Sequence, residues 1–185
     1  MPTYIAMLRG INVSGHRIIR MEDLRKSFET LGFRQVKTYV QSGNVIFEAG
    51  KDSAAGLCEQ IRKRLSRNFG FEVPVLLKTS KELEQTIHDN PFLMAAAIYH
   101  SKLHVTFLSK AAAISAEKNL ETLVTNGEQF YVNGQEIYLY CPNGYGRTKL
   151  SNVAIEKKLG LEATTRNWKS VNALLGLAQQ NNAGD

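Results

Sequence analysis

The 185-residue chain has little cysteine, and no two cysteines lie close together: Cys58 and Cys141 are its only pair, and no CxxC motif occurs. That excludes a small secreted disulfide scaffold and a cysteine zinc cluster. His16, His88, His100 and His104 show no metal-ligand spacing, so no metal is expected. Long apolar runs are also missing. No window approaches the roughly 18 consecutive apolar residues of a membrane span. The opening MPTYIAMLRGINV lacks the basic start and apolar run of a signal peptide. Cytoplasm is therefore the expected address, with no membrane partner. Several catalytic signatures are missing too: there is no GxSxG elbow, no Walker A spacing and no pair of carboxylates set for glycoside chemistry. Cys141 has no histidine near it in sequence and reads as a small buried residue, as does Cys58 on an apolar helix face. No nucleophile or general base can be named, so catalytic residues are unassigned, enzymatic activity stays open, and no cofactor is expected.

What is present is an ordinary globular balance, with 43% apolar and 22% charged residues. A chain of this length buries enough surface to fold without a staple. The formal charge is +6, and it is concentrated. Residues 9–20 hold Arg9, Arg17 and Arg20 with no acid. Residues 142–169 hold six cations against two acids. Both segments contain glycines, which favours a localised anion-binding surface over a solvated helix face.

Periodicity predicts strands at 4–8, 36–41, 45–48 and 73–77, with amphipathic helices at 21–31 and 53–69. Ser42-Gly43-Asn44 reads as a hairpin turn. A short helix spans 80–88, and Asn90-Pro91 breaks the chain. The order then repeats: strand 103–108, helix 111–123, strands 129–132 and 136–141 around Asn133-Gly134, helix 150–159, and a short edge strand at 163–165. A terminal helix follows at 167–178, with a frayed tail. The expected fold is α+β: two consecutive ferredoxin-like (βαββαβ) halves with antiparallel sheets and a C-terminal helix. The expected domains are 1–79, a helix and linker at 80–101, and 102–185.

In a ferredoxin-like unit the strands lie in spatial order 4-1-3-2. This brings the Arg9–Arg17 loop beside Gln41-Ser42-Gly43-Asn44. In the second half it brings the Pro142–Lys149 loop beside Thr165-Arg166-Asn167. Glycine turns, helix starts and arginine forks make each edge a candidate anion cradle. The expected ligand-binding residues are Arg9, Asn12, Arg17, Gln41, Ser42, Asn44, Arg147, Lys149, Thr165, Arg166 and Asn167. For several of them a plain folding role competes. Asn12 would shape a turn, and Thr165 or Asn167 would cap the last helix. Trp168 reads as a core anchor spaced with Val171 and Leu175.

At these residues the chain resembles a known family. LRGINVSGHRIIRMEDLRKSFETLGFRQVKTYVQSGNVIFE, residues 8–48, is similar to the opening of the domain of unknown function 1697 family, which is mainly bacterial. GYGRTKLS, residues 144–151, and ATTRNW, residues 163–168, resemble its later segments. The resemblance carries the family pattern onto the site residues above, and onto Gly10, Val13, Gly15, Tyr39, Gly43, Thr164 and Trp168. Ser14 departs from a usual glycine, and Arg17 from a common lysine, which keeps the charge and changes its geometry. The resemblance implies two ferredoxin-like or related halves and no defined activity.

Three functional readings follow. The first is a site for a small anionic molecule, phosphorylated or carboxylated, nucleotides included. The second is nucleic-acid binding, for which Tyr138 and Tyr140 on one strand face would stack bases; against it, GNVIFE does not fit the RNP1 pattern that an RNA-recognition sheet would need, and that sheet face reads as buried against a helix or the other half. The third is a protein-interaction or structural module in which the motifs serve folding. The oligomeric state is open.

Overall fold

The computed structural model describes residues 1–50 and 52–182. The chain divides into two compact units. One comprises Met1–Glu84 with the C-terminal segment from Ala173; the other is Gln85–Asn172.

The first unit contains β1 (Thr3–Leu8), α1 (Met21–Glu29), β2 (Arg34–Tyr39), β3 (Asn44–Glu48), α2 (Ala54–Phe69) and β4 (Val75–Thr79). The sheet order is β2-β3-β1-β4, and all pairs are antiparallel. This is the expected βαββαβ unit. Tyr4, Ala6 and Leu8 alternate onto the helix-facing side and join Leu24 and Phe28 of α1 and Leu57, Ile61 and Leu65 of α2 in one core. Phe47 is its aromatic centre, with ring centroids 5.2 Å from Phe28, 4.6 Å from Phe33 and 5.7 Å from Tyr4. Ile5, Met7 and Ile46, on the other sheet face, are equally buried. Ser53 caps α2 by accepting the Gly56 N–H at 3.1 Å.

Two boundaries in this unit shift for identifiable reasons. The fourth strand begins at Val75 instead of residue 73 because Pro74 has no N–H to give the ladder. The second strand ends at Tyr39, and the turn runs over residues 40–43, because Asn44 already pairs with Tyr39.

The second unit carries β5 (Leu103–Leu108), α4 (Ala116–Glu121), β6 (Gln129–Asn133), β7 (Glu136–Tyr140), α5 (Asn152–Leu159) and β8 (Ala163–Asn167). Its order, β6-β7-β5-β8, repeats the first topology. α3 (Ser80–His88) precedes this unit's strands, and α6 (Trp168–Asn182) follows β8. Single 3₁₀ turns occupy Pro91–Met94 and His100–Lys102. The helix expected over 111–123 forms only at Ala116–Glu121. The alanines before it are tied instead to the β6–β7 turn, where the Ala112 N–H donates to the Gly134 carbonyl at 2.8 Å. The expected short edge strand is longer, with five residue pairs to β5.

Helix α6 continues through 179–182, where fraying was expected. Within the first unit Asn181 Nδ2 donates to the Gln35 carbonyl at 3.0 Å, and Asn182 Oδ1 accepts from Thr3 Oγ1 at 2.6 Å. The rest of the expected frayed tail, 183–185, lies outside the described residues. Among the described residues no helix is long and apolar enough to cross a membrane.

Candidate functional site

In the first unit the loop after β1 lies against the β2–β3 turn, as the strand order requires. The Leu8 N–H donates to the Gly43 carbonyl at 2.8 Å. A Cβ on Gly43 would stand 2.6 Å from Ile11 Cδ1 and 2.9 Å from Leu8 Cβ, and the residue has φ +80°. Only glycine permits that approach. Asn12 ties the two segments together: its Nδ2 donates to the carbonyls of Ile19 at 3.0 Å and Gln41 at 2.9 Å, and its Oδ1 accepts the Ile19 N–H at 2.8 Å. Inside the loop the Asn12 N–H donates to the Arg17 carbonyl and the His16 N–H to the Val13 carbonyl, forming a miniature hairpin. Ile11 and Ile19 bury its base.

This loop is conformationally costly. Gly10, Asn12, Ser14, Gly15 and Arg17 all have positive φ, between 48° and 76°, and three of them are not glycine. Each non-glycine residue held this way costs on the order of 1 kcal/mol or more, asparagine least. The Arg17 guanidinium folds back over the backbone: its Nη1 lies 3.8 Å from where a Gly10 Cβ would sit. Its Cζ stands 6.0 Å from the Phe71 ring centroid. Arg9 is half-buried next to Gly10, and its N–H donates to the Pro74 carbonyl at 2.9 Å.

The sequence-expected residues of this edge therefore fall into two groups. Arg17, Gln41 and Ser42 are exposed and Arg9 is partly so. Asn12 spends its amide on the loop, and the fully buried Asn44 donates from Nδ2 to the Tyr39 carbonyl and to Ser42 Oγ, both at 3.0 Å.

The edge of the second unit is built where β7 and β8 both end beside the start of β5, with Leu103 opposite Tyr140 and His104 opposite Asn167. Thr165 Oγ1 donates to Asn152 Oδ1 at 2.7 Å and shares a 2.7 Å hydrogen bond with Thr106, which joins strand to helix start. Asn167 Oδ1 accepts the Ser170 N–H at 2.8 Å and caps α6. Strand alternation sends Arg166 to the opposite face from Thr165 and Asn167. There it is buried, with Nη1 donating to Thr164 Oγ1 at 2.8 Å and to the Thr165 carbonyl at 3.0 Å. Burial pulls its pKa down to about 10 against the opposing influence of Tyr145, so it stays charged at neutral pH. Arg147 and Lys149 are exposed on the loop before α5. Trp168 is buried together with Val171.

Sequence reasoning missed Phe71 beneath Arg17, the stack of Tyr145 on His104 (centroids 4.9 Å apart), and the exposed aliphatics around the first loop. Nothing in the spacing marks Phe71. The two glycines flanking Tyr145 were the available signal for the second. Burial lowers the pKa of His104, opposed by a hydrogen bond to the Lys102 carbonyl. Cys141 is buried, and desolvation together with the Glu128 charge pushes its thiol up to about 11, against a contribution from Thr148. Tyr138 and Tyr140 are both buried, and the Tyr138 hydroxyl donates to the Thr86 carbonyl at 2.8 Å, so this pair forms no stacking platform.

Comparison with known proteins agrees with the architecture. A solved structure of a conserved bacterial protein, SP0830 from Streptococcus pneumoniae, shares 22% identity and a TM-score of 0.75 over 96% of this chain and 98% of that one. At that identity the likeness shows a shared fold. No curated protein matches the chain. A family model described as "Protein of unknown function (DUF1697)" matches residues 1–138. That span includes the whole of the first edge and stops before Arg147. The chain belongs to the DUF1697 family of proteins of unknown function.

Proposed function

We propose that the protein binds a small anionic ligand, phosphorylated or carboxylated, at the Arg9–Arg17 loop and the adjoining Gln41-Ser42 turn. One observation carries this reading. A loop with three arginines and no acid in residues 9–20 is held in a strained shape by hydrogen bonds that contribute nothing to the ladder. Strain of this kind persists where a geometry serves binding. The Arg17 fork, already laid against Phe71 and Gly10, loses less freedom on meeting an oxyanion than a mobile side chain would. Asn12 and Asn44 hold the cradle; Arg9, Arg17, Gln41 and Ser42 meet the ligand. In the second unit the exposed Arg147 and Lys149 form a separate anion surface before α5, whose first residue, Asn152, is held by Thr165, while Arg166 is turned to the other strand face and Asn167 caps α6.

The reading is one of binding, and Cys141, the thiol just after β7, is buried with a raised pKa. Nucleic-acid binding loses the aromatic pair it called for, since Tyr138 and Tyr140 are inside.

A thermal-shift screen with nucleotides, sugar phosphates and oligonucleotides tests the proposal. A ligand at 100 times its Kd adds about 2.7 kcal/mol. For a chain of this size that is a rise of roughly 5–10 °C. Arg17→Ala abolishes the rise, while Arg147→Ala leaves most of it. A screen without a hit, or one whose hits survive Arg17→Ala, overturns the proposal.

A further inference from the structure

Three aliphatic side chains stand exposed on the first edge: Val13 at 58%, Ile18 at 67% and Val40 at 48%. They are not scattered. Each is the chain neighbour of one of the three backbone points that the Asn12 amide draws together: Asn12 itself, Ile19 and Gln41. Consecutive Cα atoms are about 3.8 Å apart, so the backbones of the three residues lie within an area only a few residues across. Arg17 lies within it, next to Ile18 in the chain and bonded through its carbonyl to the Asn12 N–H.

Val40 is the least expected of the three. It has φ +50°. A β-branched residue in that region is an outlier, and asparagine or glycine would make the same turn with less strain. The strained valine also leaves about half its surface in water. A ligand with hydrocarbon to cover would gain from it.

We infer that the ligand of this edge is an amphiphilic anion: a phosphate or carboxylate joined to a hydrocarbon portion. The charged group sits on Arg17, and the hydrocarbon lies across Val13, Ile18 and Val40. This rests on the anion site proposed above and specifies its ligand. A second copy of the chain does not suit the patch, because it would set arginines against arginines. The patch is also far smaller than the roughly 20–30 residues a side of a standard protein interface.

Isothermal titration with inorganic phosphate and with hexyl phosphate provides the test. Each methylene taken out of water is worth about fourfold in affinity. Two or three covered methylenes make hexyl phosphate tenfold or more tighter than inorganic phosphate. In Val40→Asn and Ile18→Asn that ratio falls towards one, with circular dichroism confirming the fold of each variant. Equal affinities for the two phosphates in the unaltered protein overturn the amphiphile and leave the anion site standing. Failure of both to bind overturns both. Co-sedimentation with phosphatidic acid vesicles, set against phosphatidylcholine vesicles, separates the two sources of such a group: selective pelleting identifies a bilayer lipid, and hexyl phosphate binding without pelleting identifies a free amphiphile.

Discussion

Replacing Gly43 with alanine probes the joint on which the first edge depends. Two costs are readable from the geometry. At φ +80° an alanine pays on the order of 1–2 kcal/mol for the left-handed backbone. Its Cβ would also meet Ile11 Cδ1 at 2.6 Å, Ile11 Cγ1 at 2.9 Å and Leu8 Cβ at 2.9 Å. Ile11 and Leu8 are themselves buried, so neither can swing away. Overpacking of that kind typically costs about 1–3 kcal/mol. The expected loss is roughly 2–5 kcal/mol, or a fall in Tm of about 4–20 °C. Gly15→Ala supplies the control: its φ is +76°, yet nothing lies within 4 Å of an added Cβ, so only the backbone cost of about 1–2 kcal/mol applies. Urea denaturation of both variants decides the matter. If Gly43→Ala costs no more than Gly15→Ala, the close approach of loop and turn is refuted.

Three further outcomes follow from other residues. Val40→Asn should stabilise the fold by about 1 kcal/mol, because asparagine tolerates the positive φ that valine does not; a lower urea midpoint would contradict the strain. His104 is held below its usual pKa of about 6.5 by burial. Below pH ~6.5 the unfolded chain therefore takes up a proton that the folded chain resists. The stability this residue contributes is present above that pH and is lost as pH falls through the depressed folded value. His104→Phe, which keeps an aromatic ring against Tyr145, should flatten the stability profile between pH 7 and 5, and an unchanged slope would contradict the assignment. Cys141, with its thiol near 11, should resist iodoacetamide at pH 8 in the native protein and react once urea unfolds it; rapid native alkylation would show an accessible thiolate.

The architecture was legible because its signals are local. Alternating apolar residues marked the strands, and the Gly43 and Asn133-Gly134 turns marked the hairpins. The βαββαβ order then placed the Arg9–Arg17 loop beside Gln41–Asn44, an adjacency now seen in the Asn12–Gln41 and Leu8–Gly43 hydrogen bonds. What escaped depended on tertiary partners. The alanines at 111–113 have high helix propensity, yet the Gly134 carbonyl claims the Ala112 N–H. Phe71 reaches Arg17 through the loop ahead of β4, which no periodicity describes. The division of the polar residues into those that hold the edge and those that face outward also needed coordinates. Asn12 and Asn44 carry the same amide chemistry as a ligand-binding side chain, and only their partners show that both are engaged with the backbone.

The most direct measurement is amide chemical-shift mapping by NMR during a titration with pyrophosphate. Anion binding at the first edge predicts saturable shifts concentrated at Arg9–Ile19 and Gln41–Ser42, and their disappearance in Arg17→Ala. Shifts spread over other basic segments, such as the exposed face of α2, or no saturable shift at all, would contradict the account.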